Sequence, residues 1–154
     1  MKVTHRHGRL RMRLEDVEVA LLQSLLDELT AVLEAEADDD PVAQRLFPAA
    51  YPGDDAADRE YRSLTQDTLR SERLERISAC AADLAAGGDV ELDDPDAGRR
   101  WIQVLNDLRL ALGTRLGVTE DDPPVDPDDP DEQPRLVYYW LTAVQDSVVT
   151  GLMR

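Results

Sequence analysis

Cysteine is nearly missing from this 154-residue sequence: Cys80 stands alone. One thiol excludes a disulfide within these residues and a thiolate metal cluster built from one chain. Lysine is as scarce, with Lys2 the sole example among 17 basic residues. That arginine bias reads as the imprint of a GC-rich genome rather than of function. Aromatic residues make up 5%. Long apolar runs are missing, so no stretch approaches the length needed to cross a membrane. The basic start has no apolar segment behind it, so no secretory signal is expected and a cytoplasmic location follows. The phosphate-cradling P-loop, the dinucleotide fingerprint and the GxSxG elbow are also missing, which removes the motif-based grounds for an enzyme.

Positive charge is in short supply overall. The chain holds 17 bases against 33 acids, a net charge of −16. Such a field repels nucleic acid and anionic lipid and favours partners with basic patches. The deficit is uneven. Lys2, Arg6, Arg9, Arg11 and Arg13 sit in the first 13 residues with no acid among them, leaving −21 for the remainder.

What is present is helical patterning. Hydrophobic residues reach 42%, enough for one domain with a real core over 1–154. The stretch "VTHRHGRLRMRL" alternates Leu10, Met12 and Leu14 with Arg9, Arg11 and Arg13. Period two predicts a β-hairpin over 1–14, turning at His7-Gly8. Leu21, Leu22, Leu25, Leu26, Leu29, Val32 and Leu33 predict a helix from Asp16 to Glu36. Residues 42–55 read as a loop or a short helix and loop, with Leu46, Phe47 and Tyr51 plugging one end of the core. Two helices follow, Ala56–Thr68 using Tyr61 and Leu64, and Ser71–Ala86 using Leu74, Ile77 and Leu84. Asp94-Pro95 opens a long helix that Gly117 closes. Residues 119–134 hold five prolines, eight acids and no base, and read as an extended, solvated loop. A last helix spans Pro134–Met153. The expected architecture is mainly α: about five helices in a bundle with a small N-terminal β-hairpin.

The long helix poses a problem. Trp101, Leu105, Leu108 and Leu112 form an apolar arc, and on a wheel of 100° per residue Arg109 and Arg115 project into it. Asn106 and Asp107 fall on the other side. A buried guanidinium keeps its charge and needs acceptors. Glu18 lies on the apolar face of the first helix and Gln145 on that of the last. The economical reading is one buried polar network of Glu18, Arg109, Arg115, Asn106 and Gln145, with Glu18 paired to an arginine. Its role is to fix helix register; the functional alternative is a small-anion site at these arginines.

The stretches "RLFPAAYPGDDAADREYRSL" and "WIQVLNDLRLALGTRLGV", with Glu18 and Gln145 in the flanking helices, resemble the actinobacterial family of unknown function DUF2017. The resemblance covers nearly the whole chain. It implies no enzymatic activity and carries over no catalytic residues. It also implies a link to redox-dependent transcriptional control, an idea that leans on cysteine pairs where this chain has Cys80 alone.

Other groups were weighed. His5 and His7 share a strand but lack a third ligand, and the prolines at 127 and 130 spoil a calcium rhythm among Asp126, Asp128, Asp129 and Asp131. No catalytic, cofactor or metal residue is therefore assigned. Cys80 reads as a small core hydrophobe. The expected function is that of a non-enzymatic cytoplasmic accessory protein that binds a protein partner or a second copy of itself. The alternative is a transcription regulator that meets DNA or a sigma factor through Arg6, Arg9, Arg11 and Arg13.

Overall fold

The computed structural model describes residues 1–37, 39–48 and 53–154. Strands β1 (Lys2–Arg6) and β2 (Arg9–Arg13) form the predicted hairpin. They pair antiparallel, with Val3 opposite Met12 and His5 opposite Leu10. His7 and Gly8 both take positive φ at the turn, +52° and +74°. A third strand, β3 (Asp89–Glu91), pairs antiparallel with β2 and completes the order β1-β2-β3. The hairpin expectation missed it because three residues are too few to show a period.

Helix α1 (Asp16–Glu34) buries Leu22, Leu26, Leu29 and Leu33. Helix α2 (Pro41–Leu46) is short and capped by Asp40, whose carboxylate accepts the Val42 amide at 2.8 Å. It buries Leu46 and delivers Phe47 to the core; Tyr51, expected beside them, lies outside the described residues. The two helices expected over 56–86 are one, α3 (Asp55–Ala85). Residues 69 and 70 carry no glycine or proline, so nothing stops the backbone hydrogen bonding. Only the apolar stripe changes: Tyr61 and Leu64 are exposed, while Ile77, Cys80 and Leu84 are buried.

Helix α4 (Pro95–Leu116) starts at Asp94, which accepts the Asp96 amide at 3.0 Å. It ends at Gly117 in the left-handed region, with the Val118 amide reaching back to the Gly113 carbonyl at 3.0 Å. Helix α5 (Gln133–Leu152) packs along α4, and α1, α2 and α3 pack on it too. Trp101, Val104 and Leu105 are fully buried there. Because α4 is covered on several sides, Asp107 is buried as well, although the wheel put it away from the core.

The acidic segment is a largely exposed loop held by local hydrogen bonds. Asp122 accepts the Thr119 amide three residues back, Asp126 forms an Asx turn by accepting that of Asp128, and a 3-10 turn follows at Pro130–Glu132. Arg135 pins it to α5 by donating to Glu132 at 3.0 Å and to the Pro123 carbonyl at 2.8 Å.

The sheet meets α1 at Gly88. Its carbonyl accepts the Leu14 amide at 2.7 Å, and a Cβ there would run into the Leu14 carbonyl. At Gly98 a Cβ would meet only the flexible end of Leu152. Gly88→Ala is expected to lower unfolding stability by about 1–3 kcal/mol in urea titration, and Gly98→Ala by less.

Candidate functional site

The polar set expected as one network resolves into three separate clusters. On α4, Arg109 faces α5. Its Nε donates to the Thr142 hydroxyl at 3.1 Å and its terminal nitrogen to Gln145 Oε1 at 2.6 Å. Its guanidinium carbon sits 5.8 Å from the Tyr138 ring centre. Neutral oxygens and a π face, not a carboxylate, hold this cation.

Glu18 meets neither arginine. Its Oε2 accepts the Trp140 indole N–H at 3.0 Å, and its Oε1 accepts the Glu15 amide at 2.9 Å and lies 2.8 Å from the Met1 nitrogen. Its position explains this: Glu18 is in the first turn of α1, where unsatisfied amides favour a carboxylate. Burial pushes the carboxyl upward, but these hydrogen bonds and the nearby amino group outweigh it and hold Glu18 below the ordinary carboxylate range.

Arg115 lies in the last turn of α4, 42% exposed, 3.2 Å from the equally open Glu28. Such a pair contributes little. The cleft beside it holds about 20 Å³, room for a water and not for an organic anion. Asn106 is half-buried on α4. The five residues therefore form no shared anion site.

A different charged layer lies between α3 and α4. Arg73 Nε is 3.4 Å from the buried Asp107, and Arg70 and Arg73 both stack on Phe47, at 5.7 and 4.9 Å from its ring centre. Burial raises the Asp107 pKa, and Arg73 and Arg76 work against that shift. Nearby, the Trp101 indole donates to Asp83 at 2.9 Å, and Arg100 lies 3.7 Å from the same carboxylate. The sequence did carry a signal for this layer: Arg70, Arg73 and Arg76 recur every third residue along one helix. An apolar stripe marks only part of a helix's buried face, so it does not show this row.

Cys80 packs in the same region, fully buried. Burial pushes its thiol up to about 12. His5 and His7 gain no third donor: among the described residues no group of three or more His, Cys, Asp or Glu could hold a metal.

The basic N-terminal residues divide by side of the sheet. Val3, His5, Leu10 and Met12 share one face, and Lys2, Thr4, Arg6, Arg9, Arg11 and Arg13 the other. β3 adds acids to that outer face. Arg11 donates to Asp89 at 2.8 Å and to Glu91 at 2.6 Å, and Arg13 lies 3.9 Å from Asp89. Arg6 and Arg9 remain exposed at the hairpin tip.

The described residues form a helical domain with a small three-stranded sheet, its buried charges held between helices. Residues 1–152 match the family described as a domain of unknown function, DUF2017, and the chain belongs to it. It is 30% identical over 157 aligned positions to the oxidative stress regulator AosR of Mycobacterium tuberculosis and of Mycobacterium bovis. Those alignments cover 91% of this chain and 72% of the relative. A Mycobacterium leprae relative with the AosR name is 33% identical over 153 positions, covering 84% of this chain and 69% of its own. No solved structure matches.

Two outcomes check this geometry. Arg109→Met and Gln145→Leu should couple by about 1 kcal/mol in a double-mutant cycle, while Arg109→Met with Glu18→Gln should be additive within about 0.5 kcal/mol. The Cys80 thiol, raised from 9.0 to about 12, should react with an aromatic disulfide reagent on the order of 1,000-fold more slowly in the native protein than in the unfolded chain. A rate matching the unfolded chain would show an open thiol.

Proposed function

We propose that this chain is a non-enzymatic regulatory domain of the cytoplasm that acts by contacting another protein. The observation that carries this reading is the match, over nine-tenths of the chain, to relatives named as oxidative stress regulators. The acidic segment supports it. Its turns and the Arg135 clamp hold carboxylates in place, and a preordered charged surface loses less freedom on binding. Asp121, Asp128 and Asp131 point outward and suit a partner with a basic surface. No described helix is long and apolar enough to cross a membrane.

A second reading rests on the outer face of the sheet. Lys2, Arg6, Arg9 and Arg13 are exposed together there, and a β-ribbon of this kind can lie against DNA. The net charge of −16 opposes that encounter.

One experiment separates the two. Asp121→Lys with Asp128→Lys, and separately Arg6→Glu with Arg9→Glu, would replace the native gene, and transcript levels would be followed after peroxide treatment. Loss of the response in the aspartate variant alone is expected. Loss in the arginine variant alone, with DNA retention that falls steeply as salt rises, would transfer the function to the sheet. A normal response in both variants and in a gene deletion would remove the regulatory reading.

A further inference from the structure

We propose that the cavity between the end of α2 and the middle of α3 binds a small monocarboxylate with an apolar body. The cavity measures about 310 Å³, within the range of small-molecule sites. Leu46, Phe47 and Leu69 supply apolar wall, and Arg62 and Arg73 supply cationic wall. Arg62 is fixed at the edge: its Nε donates to Asp58 at 3.0 Å and its terminal nitrogen to the Phe47 carbonyl at 3.2 Å. Arg73 is fixed by the Phe47 ring beneath it and by Asp107 at its Nε. That leaves the two terminal nitrogens of Arg73 without an acid among the described residues, in the fork geometry that a carboxylate accepts.

The charge balance around the cavity points the same way. Arg70, Arg73 and Arg76 line one side of α3, and the one buried acid described there is Asp107. Arg70 is 90% buried at its side chain, yet its nearest acids, Glu36 at 3.7 Å and Asp67 at 3.5 Å, are 67% and 94% exposed. Exposed carboxylates at those distances compensate a buried cation weakly. The Nε atoms of Arg70 and Arg76 are buried without a hydrogen-bond partner among the described residues. An anion seated in the cavity would add a partner for cations that these acids compensate only in part. The chain's net charge of −16 selects the head group, because repulsion from the acidic body grows with each negative charge on the ligand. A monoanion enters where a phosphate ester or a polyanion is opposed. This site stands whether or not the protein regulates transcription, and a carboxylate bound there would tie α2 to α3.

The test is a ¹⁵N–¹H spectrum of the whole chain titrated with benzoate, with octanoate, with neutral benzyl alcohol and with inorganic phosphate. Saturable shifts at Phe47, Leu69 and Arg73 with the two carboxylates, and little response to the other two, are expected. Arg73→Met should weaken binding about tenfold or more by removing the fork. Leu69→Glu provides an arm that does not disturb Asp107: Leu69 is 37% exposed, and a glutamate there would place its own carboxylate before the arginines and abolish the shifts. No saturable shift in the unaltered protein, an equal response to benzyl alcohol or phosphate, or full binding by the Leu69→Glu variant would each overturn the proposal.

Discussion

Everything in this fold is arranged around a helix with almost no free side. A helix on the surface of a domain can turn its charges to water. Over its middle turns helix α4 cannot, because α5 lies along one side, α2 and α3 along another, and α1 also reaches it. Trp101, Val104, Leu105 and Leu108 satisfy that demand with apolar surface. Asp107 and Arg109 do not, and each must find its partner on the particular helix that covers it. Arg109 finds Gln145 and Thr142 on α5, and Asp107 finds Arg73 on α3. The two polar contacts leave α4 in opposite directions, so a rotation or slip of the helix would break both. Register is thereby specified on two sides at once, the best-attested use of buried polar groups.

The ends of the bundle are held by the same kind of contact, directional and mostly charge-assisted. Glu18 joins the start of α1 to Trp140 on α5, and Asp83 on α3 holds the indole of Trp101 on α4. Trp101 is fully buried and Trp140 partly so, and each is oriented by its single N–H. The acidic segment is treated likewise. Carboxylates crowded between prolines repel one another, yet several accept nearby amides and Arg135 supplies a counter-charge. The solvated loop that composition describes is thus strapped by its own hydrogen bonds and by Arg135.

Legibility followed how much of the environment each residue's own neighbours determine. The hairpin, α1, α4 and α5 were readable because a stripe of one period and good end signals, such as Asp94-Pro95 and Gly117, are local properties. β3 was not, being held by pairing with residues nearly eighty positions away. The split assigned to α3 came from a stripe that ends while the backbone continues. For the polar residues the sequence showed which groups needed partners better than it showed who they were. Arg109 and Gln145 were both suspected and do meet; Glu18 was drawn into the same set by its helical phase, although its place in the first turn ties it to amides and an indole. Asp107 was misread because a wheel assumes one covered side, and only the packing of five helices reveals a second.

The AosR name of the relatives refers to oxidative stress, and the physical setting of Cys80 bears on how this chain could take part in such a response. A disulfide switch needs two thiols within reach of each other, and these residues contain one. Thiol oxidation to a sulfenic acid begins from an accessible thiolate, whereas Cys80 is fully buried with its pKa near 12. Cys80 as placed therefore starts neither route, and in the function proposed above an oxidant signal would arrive through what the domain binds. Such a signal fits a molecule whose free charges lie on its outside, on a strap of carboxylates at one connection and a cluster of arginines at the tip of the sheet. It also gives the arginine-lined cavity a place in the scheme, since a ligand seated between α2 and α3 would press on the layer of Arg73, Asp107 and Phe47 through which those helices grip α4.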